Sequence, residues 1–264
     1  MLNHISDAPN EFALYPDLNG TTFLVIGTGS GIGQQIAQKL DHNGASVVCA
    51  DIDEAAAKTV AAKLQQSLAI TMDVTNPTAI AEVFDKAEST FGSLHGVIDV
   101  VGMLKPKPIA EADEAHWKWH FEIVFDHARR VAKEAIHRLN PGSSVTYVTS
   151  AGGFAGLPNN APYAAAKAAQ ISLIRSAAVE FAAKGIRVNG VAPGVIGNPR
   201  MEAFLDSSGK REATEAVIPM RRLAQPREVA DSLLFLSSRS ASYITGQVIV
   251  IDGGVQNSWP YPPI

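Results

Sequence analysis

Seven short runs rich in β-branched residues recur along this chain of 264 residues, separated by longer stretches with helical spacing. That alternation constrains the fold more than any other feature. The spacing predicts strands over Thr22–Ile26, Ser46–Ala50, Leu68–Met72, Gly96–Val101, Ser144–Thr149, Ile186–Val191 and Gln247–Ile251, with helices such as Ile32–Leu40 and Glu54–Leu64 between them. Strands that are apolar throughout must be covered on both faces. The expectation is an α/β fold, a mostly parallel seven-stranded sheet between two layers of helices. No repeat or break in composition marks a second domain, so residues 20–254 read as one domain, with an N-terminal extension over 1–19 and a tail over 255–264. The least regular stretch, Pro193 to Pro226, is too long for an idle turn and predicts a mobile substrate lid over about 195–225.

Composition excludes several classes of function. A net charge of −4 offers no basic field to nucleic acid or to an anionic membrane. No apolar run reaches the roughly 18 residues that a membrane span needs. Residues 1–20 lack the basic and apolar segments of a secretory signal. The single cysteine, Cys49, lies in the second predicted strand, so no intrachain disulfide can form. A cytoplasmic protein binding neither nucleic acid nor membrane is the expectation.

The first predicted strand empties into Gly27-Thr-Gly-Ser-Gly-Ile-Gly33, and a helix follows at once. Glycines there allow a tight turn and let backbone N–H groups and the helix N-terminus approach a pyrophosphate. The spacing is Gly27-x-x-x-Gly31-x-Gly33, which is not G-x-G-x-x-G because position 32 is Ile. Asp51 ends the second strand; its carboxylate can accept hydrogen bonds from a ribose 2′-hydroxyl and would repel a 2′-phosphate. No Arg or Lys lies in the glycine turn or directly after Asp51, so the cofactor expected is NAD rather than NADP. Asp73-Val74 ends the third strand, where it can hold an adenine amino group or make a turn ahead of Thr75.

Tyr163 and Lys167 stand four apart in an Ala-rich helical segment, hence on one face, and Ser150 ends an apolar run upstream. A phenol with a pKa of about 10 is a poor proton shuttle near neutrality. An adjacent cation favours phenolate, and a fall of about three units corresponds to roughly 4 kcal/mol. Ser150 can donate to the same substrate oxygen. Around this trio the substrate wall is expected to include Ala151-Gly-Gly-Phe154, with Gly152 and Phe154 in contact, Met103-Leu104, and Met201, Phe204 and Leu205 of the lid. That wall is mainly apolar and favours a hydrophobic or cyclic substrate. His116 and His120 share a helix face but lack the H-E-x-x-H pattern and a third ligand, so no metal is expected. Trp117, Trp119 and Phe121 read as packing groups. In the tail, Trp259 or Tyr261 is a candidate to pack across a subunit boundary.

In their order along the chain, the glycine turn, Asp51, Asp73, Ser150, Tyr163, Lys167, Pro193-Gly194 and Tyr243 to Gly254 resemble the short-chain dehydrogenase/reductase family. The resemblance covers about residues 20 to 254. It implies a three-layer Rossmann fold with a seven-stranded doubly wound sheet, assembled as a homotetramer or homodimer. It also implies that Tyr163 is the general acid/base, that Lys167 lowers its pKa and holds the nicotinamide ribose, and that Ser150 polarises the substrate carbonyl. The NAD site implied comprises Gly27, Ser30, Gly31, Ile32, Gly33, Asp51, Ile52, Asp73, Val74, Gly102, Tyr163, Lys167, Pro193, Ile196 and Asn198. The activity expected is NAD-dependent interconversion of a secondary alcohol and a ketone. A nucleotide-binding sensor is the alternative, with dehydratase or dehalogenase chemistry behind it. Three positions depart from the family's pattern: Ile26 stands for the usual Thr, Asp99-Val-Val-Gly102 for Asn-Asn-Ala-Gly, and Val124 for the Asn of a proton relay. Glu122, Asp126 or a rearranged backbone are candidates to take over from that Asn.

Overall fold

The structure, a computed structural model, describes residues 13–258. Among these, seven strands form one sheet: β1 (Thr22–Ile26), β2 (Ser46–Asp51), β3 (Ser67–Thr71), β4 (Gly96–Asp99), β5 (Ser144–Val148), β6 (Arg187–Pro193) and β7 (Val248–Ile251). Their order is β3-β2-β1-β4-β5-β6-β7 and every pairing is parallel. Every residue of β1, β4 and β5 is buried, as the unbroken apolar runs require. The largest boundary shifts are at β4, which ends two residues earlier than its apolar run, and at β6, which continues to Pro193. Asp99 and Pro193 thereby mark the strand ends beside which ligand chemistry is expected.

Helices cover both faces. On one side α3 (Ala79–Phe91), α5 (His127–Arg138) and α6 (Ala161–Ala182) pack on Leu24, Val48, Val97 and Tyr147. On the other, α1 (Gly31–His42), α2 (Glu54–Ala61) and α9 (Pro226–Ser237) cover Val25, Val47, Cys49 and Ile98. Local chemistry sets the helix starts. Asp53 and Asp113 accept the N–H groups of Ala56 and His116, capping α2 and α4 (Glu114–Phe121). Gln225 and Glu228 form a capping box with Pro226 in the first turn of α9. Burial pushes the Cys49 thiol up to about 12, so it behaves as a small core hydrophobe.

Residues 13–18, in the expected N-terminal extension, pack on the domain: Leu18 is buried, Tyr15 N–H donates to Asn43 Oδ1 at 2.6 Å, and Asp17 accepts the Arg239 N–H at 2.7 Å. The stretch after Pro193 is largely helical, forming α7 (Pro199–Ser208) and α8 (Arg211–Ala216). Asn198 Oδ1 accepts the Met201 N–H, Pro199 opens α7, and Gly209 closes it in the left-handed conformation. Leu205, Ile218 and Leu223 give this segment a small core of its own. Trp259 and Tyr261 lie outside the described residues.

Candidate active site

The strand order reverses between β1 and β4, and two cavities meet there over the carboxyl ends of the strands. One, of about 480 Å³, is lined by Gly29, Asp51, Ile52, Asp73 and Val74. The other, of about 620 Å³, runs from Gly31, Ile32 and Gly33 past Ser150, Tyr163 and Lys167 to Pro193, Ile196 and Asn198. Gly27, Ser30 and Gly102 line both, so the two form one trough. Every residue assigned to the dinucleotide from sequence borders it.

The glycine turn is shaped by close backbone approach. Gly27 has φ +94°, and a Cβ there would meet Val100 at 2.9 Å; a Cβ on Gly33 would sit 1.9 Å from the Gly27 carbonyl oxygen. The Gly27 and Thr28 N–H groups donate to the Ala50 carbonyl at 2.7 and 3.3 Å. Asp51 Oδ2 accepts the Gly29 N–H at 2.7 Å and its Oδ1 the Asp53 N–H at 3.0 Å, so this carboxylate also braces the turn. Ser30 does not cap α1 with its side chain, leaving first-turn N–H groups at the edge of the trough. A cradle of unsubstituted backbone, a helix N-terminus and a carboxylate at the next strand end fits a dinucleotide. Asp73 borders the same cavity while accepting the N–H and hydroxyl of Thr75 at 2.9 and 2.7 Å, so its turn bonds leave it at the cavity's edge.

Ser150, Tyr163 and Lys167 come together in the larger cavity. Ser150 opens a 3-10 turn after β5 and accepts the Gly152 N–H at 3.1 Å, which fixes its hydroxyl at the strand end. Pro162 starts α6, whose buried residues include Tyr163, Lys167 and Gln170. The Lys167 ammonium lies 5.9 Å from the Tyr163 ring centre and donates to the Val148 carbonyl at 2.8 Å and Gln170 Oε1 at 3.0 Å. Burial pushes the Lys167 pKa down to about 8, opposed by the charge of Asp99. The Tyr163 phenol differs from expectation: burial pushes its pKa up, and the effect that opposes this is the hydrogen bond of Ser150.

The apolar wall is partly as expected. Leu104, Ala151, Gly152 and Met201 line the larger cavity, joined by Leu157, Asn160 and Gln256, which no sequence motif marks. Phe154 is a correction: it borders a separate groove with Arg175, Val179 and Val250. Phe204 is half exposed outside the cavity, Leu205 is buried in the core of its own segment, and Met103 borders the other cavity. The two helical histidines serve local structure: His120 Nδ1 bonds the His116 carbonyl at 2.8 Å, and its Nε2 accepts the Lys105 N–H at 3.2 Å. Among the described residues no group of three His, Cys, Asp or Glu side chains is placed to hold a metal. Trp119 packs edge-on against His120 with the Lys105 ammonium 3.9 Å above its ring.

Comparison with known proteins agrees with this geometry. The family described as enoyl-(acyl carrier protein) reductase matches residues 26–256. A cis-4-hydroxycyclohexanecarboxylate dehydrogenase of Sinomonas cyclohexanicum is 37% identical over 88% of this chain and 94% of that one. The chain belongs to the short-chain dehydrogenase/reductase family. A 2-keto-3-deoxy-L-fuconate dehydrogenase of Xanthomonas campestris is 32% identical over 91% of this chain and 81% of its own. The crystal structure of a short-chain dehydrogenase/reductase, glucose/ribitol dehydrogenase, from Brucella melitensis superposes with a TM-score of 0.87 at 30% identity, covering 92% of this chain and 99% of that one. Short-chain dehydrogenases/reductases are oxidoreductases that use a nicotinamide cofactor and act on small molecules.

Each of the three departures from the short-chain dehydrogenase/reductase pattern has a structural counterpart. Ile26 is core, and the turn is tied to β2 by backbone bonds to Ala50 instead of by a threonine hydroxyl. In the Asp99 segment, Val101 N–H donates to Asp99 Oδ1 at 3.1 Å, while Val100 and Val101 fill the space that Gly27 leaves. Val124 is buried against Tyr163 and Ala166 in a π-helical turn, Glu122–Asp126, between α4 and α5. Glu122 faces Lys118 at 3.7 Å and Asp126 faces Arg129 at 2.7 Å. No helix among the described residues is long and apolar enough to cross a membrane.

Proposed function

We propose that the protein is an NAD-dependent alcohol dehydrogenase or ketoreductase acting on a hydrophobic or cyclic secondary alcohol and its ketone. The observation that carries this is Ser150, Tyr163 and Lys167 bordering one cavity continuous with the glycine cradle and Asp51. Bound NAD would supply the hydride acceptor at this site. Asp51 would take the adenosine ribose hydroxyls, and the N–H groups of Ser30 to Gly33 the pyrophosphate. Lys167 would hold the nicotinamide ribose and Ile196 and Asn198 the carboxamide side. In the oxidation direction Tyr163, drawn toward phenolate by the Lys167 ammonium together with the positive charge that a bound nicotinamide ring would add, takes the hydroxyl proton, while the Ser150 hydroxyl donates to the substrate oxygen as charge develops on it. Reduction reverses the proton transfer. The segment over 195–225, with Met201 against the cavity, is the substrate lid. The relative named for a hydroxycyclohexanecarboxylate supports a ring-bearing substrate.

The test is a screen of cyclic and acyclic alcohols and ketones with NAD(H) and NADP(H), following the reduced nicotinamide. Turnover with NAD(H) is expected, lost by at least about 1,000-fold in Tyr163→Phe with NAD binding retained. Normal turnover in that variant refutes the assignment, and NAD binding without turnover on any substrate favours a sensor. A cytoplasmic homotetramer or homodimer belongs to the same reading, and native mass measurement tests the assembly.

A further inference from the structure

A second group of ionisable side chains lies at the end of β4, where Asp99 pairs with Tyr147 next to the Val148 carbonyl that takes the Lys167 ammonium, and it has no part in the chemistry proposed above. Asp99, at the end of β4, and His127, in the first turn of α5, have no exposed surface, and His127 Nε2 stands 2.9 Å from Asp99 Oδ2. The contact is short but not aligned as a hydrogen bond: neither atom has a partner of acceptable hydrogen-bond geometry, whereas Asp99 Oδ1 is held by the Val101 N–H. An acid and a base without solvent cost several kcal/mol each in real proteins unless something charged compensates them. The sequence shows the same oddity from another side, since the corresponding position in the resembled family is a neutral Asn.

Lys167 presents the complementary problem. Its ammonium is fully buried and its two hydrogen-bond acceptors, the Val148 carbonyl and Gln170 Oε1, are neutral. Around this floor the titratable groups are Tyr163 on α6, Tyr147 on β5, Asp99 on β4 and His127 on α5, with His120 of α4 beyond Tyr163. Tyr147 is a neutral phenol that donates to the Ala128 carbonyl at 3.1 Å. Asp99 pairs in register with Tyr147, next to the Val148 whose carbonyl takes the Lys167 ammonium, and a Cβ on nearby Gly102 would stand 2.9 Å from Lys167 Nζ; of these groups it is Asp99 whose charge opposes the desolvation of Lys167. We propose that Asp99, held by His127, is the buried counter-charge of the Lys167 ammonium and so a positioning residue of the proton-transfer site. It acts through Lys167 and touches neither substrate nor cofactor. An acid in place of the neutral Asn lets this chain keep a charged lysine in a site whose usual polar relay residue is the apolar Val124.

The proposal rests on the proton-transfer reading of Lys167, and its test separates the two. Lysine Nζ titration is followed by NMR in isotope-labelled protein, with the Lys167 signal assigned from Lys167→Met. In Asp99→Asn the midpoint, starting near 8, is expected to fall by about one to three pH units, the size of effect one close opposite charge exerts. The alkaline limb of the rate–pH profile should fall with it. Tyr147→Phe removes a neighbouring buried hydroxyl and is expected to cost stability without moving either quantity, which a merely structural role for Asp99 would also do. Should Asp99→Asn not fold, the double variant Asp99→Asn/His127→Gln removes the carboxylate while keeping polar volume and carries the same measurement. An unchanged Lys167 midpoint overturns the proposal. A shifted midpoint in a protein that turns over no alcohol upholds it and fails the proposed function instead.

Discussion

Gly33→Ala tests the glycine cradle without changing any charge or side-chain hydrogen bond. The new Cβ would lie 1.9 Å from the Gly27 oxygen, 2.8 Å from its carbonyl carbon and 3.0 Å from Thr28 Cα. All three are backbone atoms, so no side chain can swing aside, and α1 must retreat from the turn by about 1 Å to reach a tolerable contact. Overpacking of this kind costs about 1–3 kcal/mol, and a backbone-on-backbone clash belongs at the upper end. For a chain of this size, about 3 kcal/mol lowers Tm by roughly 6 °C. If the displaced turn also forfeits about 3 kcal/mol of pyrophosphate binding, the Kd for NAD rises by roughly 100-fold. Thermal unfolding and calorimetric titration with NAD measure the two effects. Gly156→Ala is the control, because a Cβ there meets nothing within 4 Å. A Gly33→Ala protein with wild-type Tm and NAD affinity would refute the close approach and, with it, the cradle.

Asp51→Ala frees the Gly29 N–H and removes the repulsion toward a 2′-phosphate; NAD affinity should fall about tenfold while NADP affinity rises, as read from paired Kd values. A Cβ at Gly102 would come within 2.9 Å of Lys167 Nζ, the far end of a flexible side chain, so Gly102→Ala should fold normally but lower kcat more than it raises the NAD Kd. The buried Lys167 gives a pH signature of stability. Its pKa falls from 10.5 to about 8 on folding, so below pH 8 its burial as a cation destabilises the fold in full. That cost, about 3 kcal/mol, is relieved as pH rises from 8 toward 10.5. Cys49, raised from 9.0 to about 12, acts oppositely above pH 9, because only the unfolded thiol ionises there. Denaturant midpoints should therefore rise between pH 8 and 9, and Lys167→Met should abolish the rise.

Legibility in the sequence followed locality. The strands of the central sheet, Gly27 to Gly33 and the Tyr163–Lys167 spacing were readable because each rests on neighbours within one element, where period and turn chemistry decide. The segment after Pro193 misled because its Pro, Gly and Asn residues are helix punctuation: Asn198, Pro199 and Gly209 start and stop α7. Nearness to Ser150 in the chain points Phe154 toward the substrate wall, but the 3-10 turn over Ala151–Gly153 carries it out to another groove. Leu157, Asn160 and Gln256 entered the wall with no local pattern to announce them.

By itself the sequence determined the layers, the strand ends that carry Asp51, Asp73 and Ser150, and the residue types able to cradle a pyrophosphate and move a proton. Those are properties of segments a few residues long, set by side-chain period, glycine and charge. Only the tertiary structure decided what the segments meet. It brought Asp99 from β4 within 2.9 Å of His127 on α5, turned Lys167 toward Val148 and Gln170, and buried Tyr163 so that its phenol is held up rather than down. Solvation and charge at a buried site sum over every element packed around it, and that sum exists once the sheet and its helices have closed.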